Sequence, residues 1–418
     1  MANLQQVIFL QKPNNFETTY FIGNPDITFF KSVYRRYTNF SKFTKLISST
    51  PGGEKNHKFR ISNFAGDLLS KVYLENIIKF PASNKDYEIF PNLGTICFTD
   101  ISMTFGNNDK IFQNTSDYLE AKSQLNNDIV LYNTSGSYSC PELTIKKNQI
   151  QCVNGNKYNN TTLSGGIKGF AFPAGGGTCT AEFFTIPDFS FMKDYGLSIP
   201  LLCLRNKEIF LNYNFADAQC CSLPLSDQNR TTKCIVEYIN LDLSEKSRFI
   251  LNDHEYIIEQ IHSAPLPIRS YPATLVINQS NIVLKQLLFI AYDTKTHPHH
   301  FVEMDEETIF NILIDNENLY ENINVKQLTN LNVYEHYKGS GRDVSAANTG
   351  LINSIGLINI CLYPNNYTQP SGSIAISNNR KITVQATNRS ETTTIIDVYK
   401  ICYNLLKFSN GDYTLNYI

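Results

Sequence analysis

No tryptophan occurs in the 418 residues, and methionine occurs only four times. Without indole rings the chain lacks the flat aromatic platforms on which a carbohydrate-binding β-sandwich stacks sugars. That reading therefore ranks low, although Tyr can substitute. An excess of positive charge is also missing: 36 Lys plus Arg face 38 Asp plus Glu, a formal net of −2. A protein that coats nucleic acid needs many uncompensated cations to displace counterions, so no direct nucleic-acid binding is expected. So small a net charge leaves little long-range self-repulsion, which permits dense packing of many copies. No run approaches the roughly 20 apolar residues that span a bilayer. The stretch Met1 to Leu10 has no basic region and only the short apolar run Val7 to Leu10, so no secretory signal is expected. The chain reads as one made in a reducing cytosol.

Chemistry-bearing patterns are equally sparse. The ten cysteines form no paired CxxC metal pattern and are read as mostly free thiols. Cys97, Cys203, Cys361 and Cys402 lie in apolar runs, where Cys behaves as a small hydrophobe, and the adjacent Cys220 and Cys221 read as a loop coincidence. No serine sits in a Gly-x-Ser-x-Gly elbow, and Gly175-Gly176-Gly177 lacks the Lys and Ser or Thr of a phosphate loop. His297, His299 and His300 with Glu303 and Asp305 are the strongest metal candidates by residue type, but ligand spacing is absent and a solvated loop is the preferred reading. The carboxylate pairs Glu306 and Glu307, and Asp315 and Glu317, read as turn or hydrated residues. Sequons at Asn114, Asn160, Asn229, Asn366 and Asn388 arise readily by chance in an Asn-rich chain. No catalytic residue, metal or cofactor is expected.

What is present is alternation. The chain carries 24 Tyr and 27 Phe, residues that suit a pleated surface. Apolar and polar residues alternate with period two in Cys97 to Phe105 and in Ile209 to Phe215, as half-buried strands require. Further strands are expected at Lys58 to Phe64, Leu68 to Phe80, Thr180 to Ile186, Cys234 to Leu243, Ile282 to Tyr292, Thr308 to Ile314, Ile355 to Tyr363, Ile382 to Ala386 and Tyr399 to Phe408. Helices are expected only at Ser116 to Leu125, Asp253 to His262 and Val325 to Tyr337. The Asn-, Gly- and Ser-rich region Asn107 to Gly177 and the segment Thr294 to Glu307 read as surface loops. Punctuation at Ala216 to Arg230 places a linker at 217–230 between a first domain, 1–216, and a second, 231–418.

The densest signal is Asn24-Pro25-Asp26-Ile27-Thr28-Phe29-Phe30-Lys31-Ser32-Val33-Tyr34-Arg35-Arg36-Tyr37-Thr38-Asn39-Phe40, which packs aromatics and bases into one short stretch. It is followed by Phe64-Ala65-Gly66-Asp67-Leu68-Leu69 through Tyr73-Leu74-Glu75, by Asp117-Tyr118-Leu119-Glu120, and by Leu197 to Leu204 with Glu208-Ile209. Later come Glu237 to Asp242, His254 to Gln260, Gln369-Pro370-Ser371-Gly372, and Val398-Tyr399 through Leu406. In this order the motifs resemble the major capsid proteins of the nucleocytoplasmic large DNA viruses, over about residue 20 to the carboxyl terminus. Two departures stand out: the absence of Trp and the unmatched segment His297-Pro298-His299-His300.

The resemblance implies an all-β protein of two consecutive antiparallel eight-stranded jelly-roll sandwiches with few short helices. It implies a homotrimer whose six jelly rolls form a pseudo-hexagonal capsomer of an icosahedral shell. Partners would be other copies within the trimer, neighbouring trimers, minor capsid proteins and the viral inner membrane. The location would be the virion capsid, with assembly in the host cytoplasm. Alternatives are a minor capsid or scaffolding protein of the same fold, or a carbohydrate-binding sandwich. In the opening motif Phe29, Phe30 and Tyr34 supply apolar area, and Lys31, Arg35 and Arg36 carry charge that must reach water or a partner. These six are the candidate assembly or membrane-facing residues.

Overall fold

The computed structural model describes residues 24, 26–49, 56–80, 87–89, 93–106, 109–126, 149–153, 170–172, 179–216, 230–266, 273–277, 281–293, 301–337, 354–377, 380–387 and 394–416. The chain divides into two units, Met1–Asn39 and Phe40–Ile418. In the first, the described residues carry bends and a turn but neither helix nor strand.

In the second unit the alternation becomes strands with one face in a core. Ile209, Leu211, Tyr213 and Phe215 are buried while Phe210, Asn212 and Asn214 between them are only half-buried. Eight strands build the first sandwich: β1 (Phe40–Ser48), β2 (Asn56–Ile61), β3 (Leu68–Phe80), β4 (Phe98–Phe105), β5 (Asp109–Thr115), β6 (Cys179–Thr185), β7 (Ile209–Phe215) and β8 (Arg230–Leu241). They pair antiparallel in the orders β1-β8-β3-β6 and β2-β7-β4-β5. A short strand, Gln149–Val153, adds in parallel to the outer edge of β6.

Eight more strands build the second sandwich: β9 (His254–Leu266), β10 (Ala273–Ile277), β11 (Ile282–Asp293), β12 (Ile309–Ile314), β13 (Glu317–Asn324), β14 (Ile355–Asn359), β15 (Ile382–Thr387) and β16 (Thr394–Ser409). Their orders are β9-β16-β11-β14 and β10-β15-β12-β13. Each sandwich thus repeats the other strand for strand, and both are jelly rolls. The first core centres on Phe59, Val72, Leu74, Met103, Leu211, Val236 and Tyr238, the second on Leu287, Phe289, Phe310, Ile312, Val384 and Val398.

Three sequence expectations change. Residues 230–241 do not open the second domain: as β8 they lie between β1 and β3, with Phe40 opposite Leu241 and Val72 opposite Val236. The punctuation at Ala216 to Arg230 falls between β7 and β8, inside the first jelly roll, with 217–229 outside the described residues, and the passage between sandwiches falls at Asp242 to Asp253. Asp253 to His262 is strand β9 and not a helix; Ile258 joins the first core and Ile261 packs against a second apolar cluster, so apolar residues on both faces mimic helical spacing. The helix lies just before it, as α2 (Leu243–Leu251). α2 buries no side chain and so shows no apolar stripe; its signal is the cap, where the Asp242 carboxylate accepts from the Glu245 N–H at 2.8 Å.

The expected helix at Ser116 is present as α1 (Ser116–Asn126), and that at Val325 as a helical segment whose middle turn, Gln327–Leu331, is π-wound. Within Asn107 to Gly177 the described residues form β5, α1 and two short strands; the remainder of that region lies outside the described residues.

The Gly66-Asp67 step shows why this motif precedes β3. A Cβ on Gly66 would stand 2.6 Å from the Cβ of Tyr238 on β8. Asp67 then accepts from the Leu241 N–H at 2.8 Å and pairs with Lys246 of α2 at 2.9 Å, tying the end of the closing strand to the start of β3. Gly66→Ala is expected to lower stability by about 1–3 kcal/mol through this overpacking. Chemical denaturation followed by tyrosine fluorescence checks it, and an unchanged midpoint would show that the β3–β8 approach is not tight.

Candidate assembly surfaces

The two jelly rolls meet through side chains far apart in sequence. α1, which directly follows β5, leaves the first sandwich and lays Tyr118, Ala121 and Leu125 on Leu288, Ile290, Ile355, Leu357, Tyr399 and Ile401. Those residues form the outer face of the second sandwich's β9-β16-β11-β14 sheet, opposite the face that carries Leu287, Phe289 and Val398. Tyr118 and Tyr399 rings stand 6.0 Å apart, and Thr115 donates to the Tyr399 hydroxyl at 3.3 Å. On its other side α1 is rooted at home: Leu119 enters the first core, and Glu120 accepts from Thr95.

Polar groups complete this seam. Lys122 of α1 donates to the Tyr337 hydroxyl at 2.9 Å, and Gln286 of β11 donates to the same oxygen at 3.3 Å. Lys285 of β11, with only 2% of its side chain exposed, is paired with Glu259 of β9. Its ammonium also lies 5.2 Å from the Tyr367 ring centroid and 5.3 Å from that of Tyr403. Lys193, paired with Asp188, stacks on Tyr367 as well, at 5.3 Å. Tyr118 donates to Asp188 at 3.0 Å. Burial holds the Tyr118 and Tyr399 phenols far above their ordinary titration range, so they keep their protons and remain donors.

The carboxyl-terminal hairpin ties the sandwiches again. Tyr413 donates to the Phe105 carbonyl at 2.8 Å, and Lys207 pairs with Asp412 at 3.0 Å. Hydrogen bonds from Lys207 and from the Tyr413 N–H hold the Asp412 carboxyl below its ordinary value.

The residues expected from sequence to face a partner lie in the amino-terminal unit. Phe29, Phe30 and Tyr34 are 91, 98 and 90% exposed, and Lys31, Arg35 and Arg36 are exposed too. The seam, in contrast, was not foreseen; its available signals were the Tyr118, Ala121, Lys122, Leu125 spacing and the Lys285-Gln286 pair inside the apolar run of β11.

Other expectations resolve locally. Cys97, Cys203, Cys234, Cys361 and Cys402 are free thiols, and burial pushes Cys234 and Cys402 up to about 12. Asp315 pairs with Arg380 and accepts from the Lys381 N–H at 2.9 Å at the β12–β13 turn, and Glu306 pairs with Lys326. Asn114 is buried and accepts from the Asp188 N–H, so its sequon is inaccessible, whereas Asn366 lies in an exposed turn closed by Thr368. Asn160, Asn229, Asn388, Cys220, Cys221 and the His297 to His300 cluster lie outside the described residues. Among the described residues no three metal-type side chains converge.

Residues 28–251 match the family described as "Major capsid protein N-terminus", ending at the last residue of α2. That match covers more than half of the chain, which therefore belongs to the major capsid protein family of large DNA viruses, a family of virion structural proteins and not of enzymes. The chain is 29% identical over 250 residues to the major capsid protein of Pyramimonas orientalis virus, covering 58% of this chain and 54% of that protein. It is 27% identical over 255 residues to that of Paramecium bursaria Chlorella virus 1, covering 59% and 50%. The alignments thus span about half the length of these relatives. In fold, the PBCV-1 VP54 structure matches with a TM-score of 0.69 at 17% identity, covering 94% of this chain and 100% of that one. The Faustovirus major capsid protein matches at 0.60 with 11% identity, covering 92% and 93%. Both confirm the double jelly roll.

Two outcomes follow from the seam. Glu259→Gln strands the Lys285 ammonium in a buried site and is expected to cost about 3–5 kcal/mol, whereas Glu259→Leu with Lys285→Met restores most of that loss. A double-mutant cycle by chemical denaturation checks it; additive losses would mean that the pair is not coupled. Asp412→Asn is expected to cost up to about 1 kcal/mol at neutral pH. Because the folded-state pKa of Asp412 is depressed, its contribution is complete above the unfolded value of about 4 and disappears as pH falls through the folded value. The variant and wild type should therefore converge in stability once the pH lies below that folded value, and a gap that persists there would mean that the carboxylate charge is not the cause.

Proposed function

We propose that this chain is the major capsid subunit of an icosahedral large DNA virus and that three copies form a pseudo-hexagonal capsomer. The carrying observation is the strand-for-strand repeat: two jelly rolls of one winding, fixed side by side in one chain, let three copies present six similar units around a ring. A closed ring of three requires a head-to-tail contact between two different surfaces of each copy. The near-zero net charge favours dense packing of such rings.

The exposed arm residues Phe29, Phe30, Lys31, Tyr34, Arg35 and Arg36 are assigned the contact between a subunit and its neighbours below the ring, where minor capsid proteins and the inner membrane are further partners. Exposed aromatics beside bases suit an apolar surface rimmed with carboxylates or phosphates. The first and second domains of this reading are the two jelly rolls, and assembly takes place in the host cytoplasm.

Light scattering after size exclusion tests the reading: the purified chain is expected at three times 47.5 kDa across concentrations and salt levels. A strict monomer would remove the self-sufficient trimer and favour a minor capsid role. Replacing Lys31, Arg35 and Arg36 together by Glu is expected to leave the trimer mass unchanged and to lower the yield of larger assemblies.

A further inference from the structure

The in-chain seam supplies a template for a contact that one copy cannot make with itself. α1 follows directly on β5, and in the second sandwich the helical segment that begins at Val325 follows directly on β13, the strand equivalent to β5. Counting from these strand ends pairs Ser116 with Val325, Leu119 with Leu328 and Glu120 with Thr329. All six are buried, and Leu119 enters the first core as Leu328 enters the second. The two helices are therefore rooted alike.

They differ on one stripe. Tyr118, Ala121, Lys122 and Leu125, which α1 lays on the second jelly roll, are all buried. Their counterparts are Gln327, Asn330, Leu331 and Tyr334; Gln327 is exposed, Asn330 half-buried, Leu331 53% exposed and Tyr334 83% exposed. An aliphatic and an aromatic side chain thus face water where the first helix has found a sheet.

The sheets differ in the complementary way. β11 is buried on both faces from Leu284 to Ala291, because α1, together with Phe301, Val333 and Tyr337, covers its outer side. Its equivalent, β3, alternates: Val72 and Leu74 are in the core, while Lys71, Tyr73, Glu75 and Ile77 are only half-buried. Beside them on the same outer face lies Leu46, 54% exposed, and Tyr195, 49% exposed, sits beneath the Lys71 ammonium at 4.9 Å. Among the described residues the first jelly roll has the face but no α-helix on it, whereas the helix of the second uses Leu328, Val333 and Tyr337 at home and leaves Leu331 and Tyr334 uncovered.

We infer that in the capsomer the Leu331–Tyr334 stripe of one copy covers the outer β1-β8-β3 face, around Leu46, Tyr73 and Tyr195, of the next copy, repeating between chains the contact that α1 makes within one. The inference rests on the trimer reading and names its interface. It is heterologous, as ring closure demands. It also places an aromatic ring beside Lys42 and Lys71, the same cation–aromatic chemistry that Lys122 and Tyr337 provide at the in-chain seam.

The experiment compares wild type with Leu331→Asp/Tyr334→Asp and with Tyr73→Asp by light scattering, alongside thermal melts followed by circular dichroism. A milder pair, Leu331→Ser/Tyr334→Ser, guards against a folding defect. The expected result is a fall from three times the chain mass to one in each Asp variant, with a folded melt retained, and a concentration-dependent trimer for the Ser pair. A trimer of undiminished stability in the Leu331/Tyr334 variants would overturn the inference while leaving the trimer reading intact. A wild-type monomer would remove the trimer reading itself.

Discussion

Everything in the first half of this chain depends on β8 reaching its slot between β1 and β3. Nine consecutive residue pairs join β8 to β1, and its other edge runs along β3 from Ile78 to Leu68. Until that strand is in place β1 has no sheet partner among the described residues, and the Asp67 carboxylate lacks the Leu241 N–H and the Lys246 ammonium that fix the β3 entry. The absent side chain at Gly66 is the steric condition for that approach. Local chemistry at a four-residue motif and the closure of a whole sandwich are thus one constraint seen at two scales.

The seam converts two such sandwiches into one building unit. Apolar packing by α1 supplies area, and the hydrogen bonds from Lys122 to Tyr337 and from Thr115 to Tyr399 supply direction, since buried polar groups tolerate few alternative arrangements. For a protein whose task is geometric, the angle between sandwiches is the functional quantity, and polar groups at the seam serve it better than apolar area alone.

Much of the fold was legible in the sequence because one-sided strands write alternation into the chain: Leu68–Phe80 has the same limits in both readings, and Ile209–Phe215 shows its buried and half-buried rows residue by residue. Legibility failed where a strand packs apolar residues on both faces, as β9 does with Ile258 and Ile261, and where a helix fully buries no side chain, as at α2. The polar punctuation at 217–230 reads as a linker but falls between β7 and β8, whereas the passage between sandwiches carries the helix α2. The aromatic and basic arm could be singled out from residue types alone. The seam could not, because Lys122 and Tyr337, or Tyr118 and Tyr399, become neighbours only after both sandwiches are wound.

The long reach of β8 also sets an order of events during synthesis. β1 leaves the ribosome early, yet its only sheet partner among the described residues ends at Leu241, so the strand containing Phe40, Phe43, Leu46 and Ile47 waits for that partner through most of the production of its own sandwich. Pairings so distant along the chain form slowly, and open apolar edges invite the wrong neighbour. Where ribosomes making this protein crowd together, the interval before β8 emerges is the period in which strand exchange between nascent chains competes with correct closure.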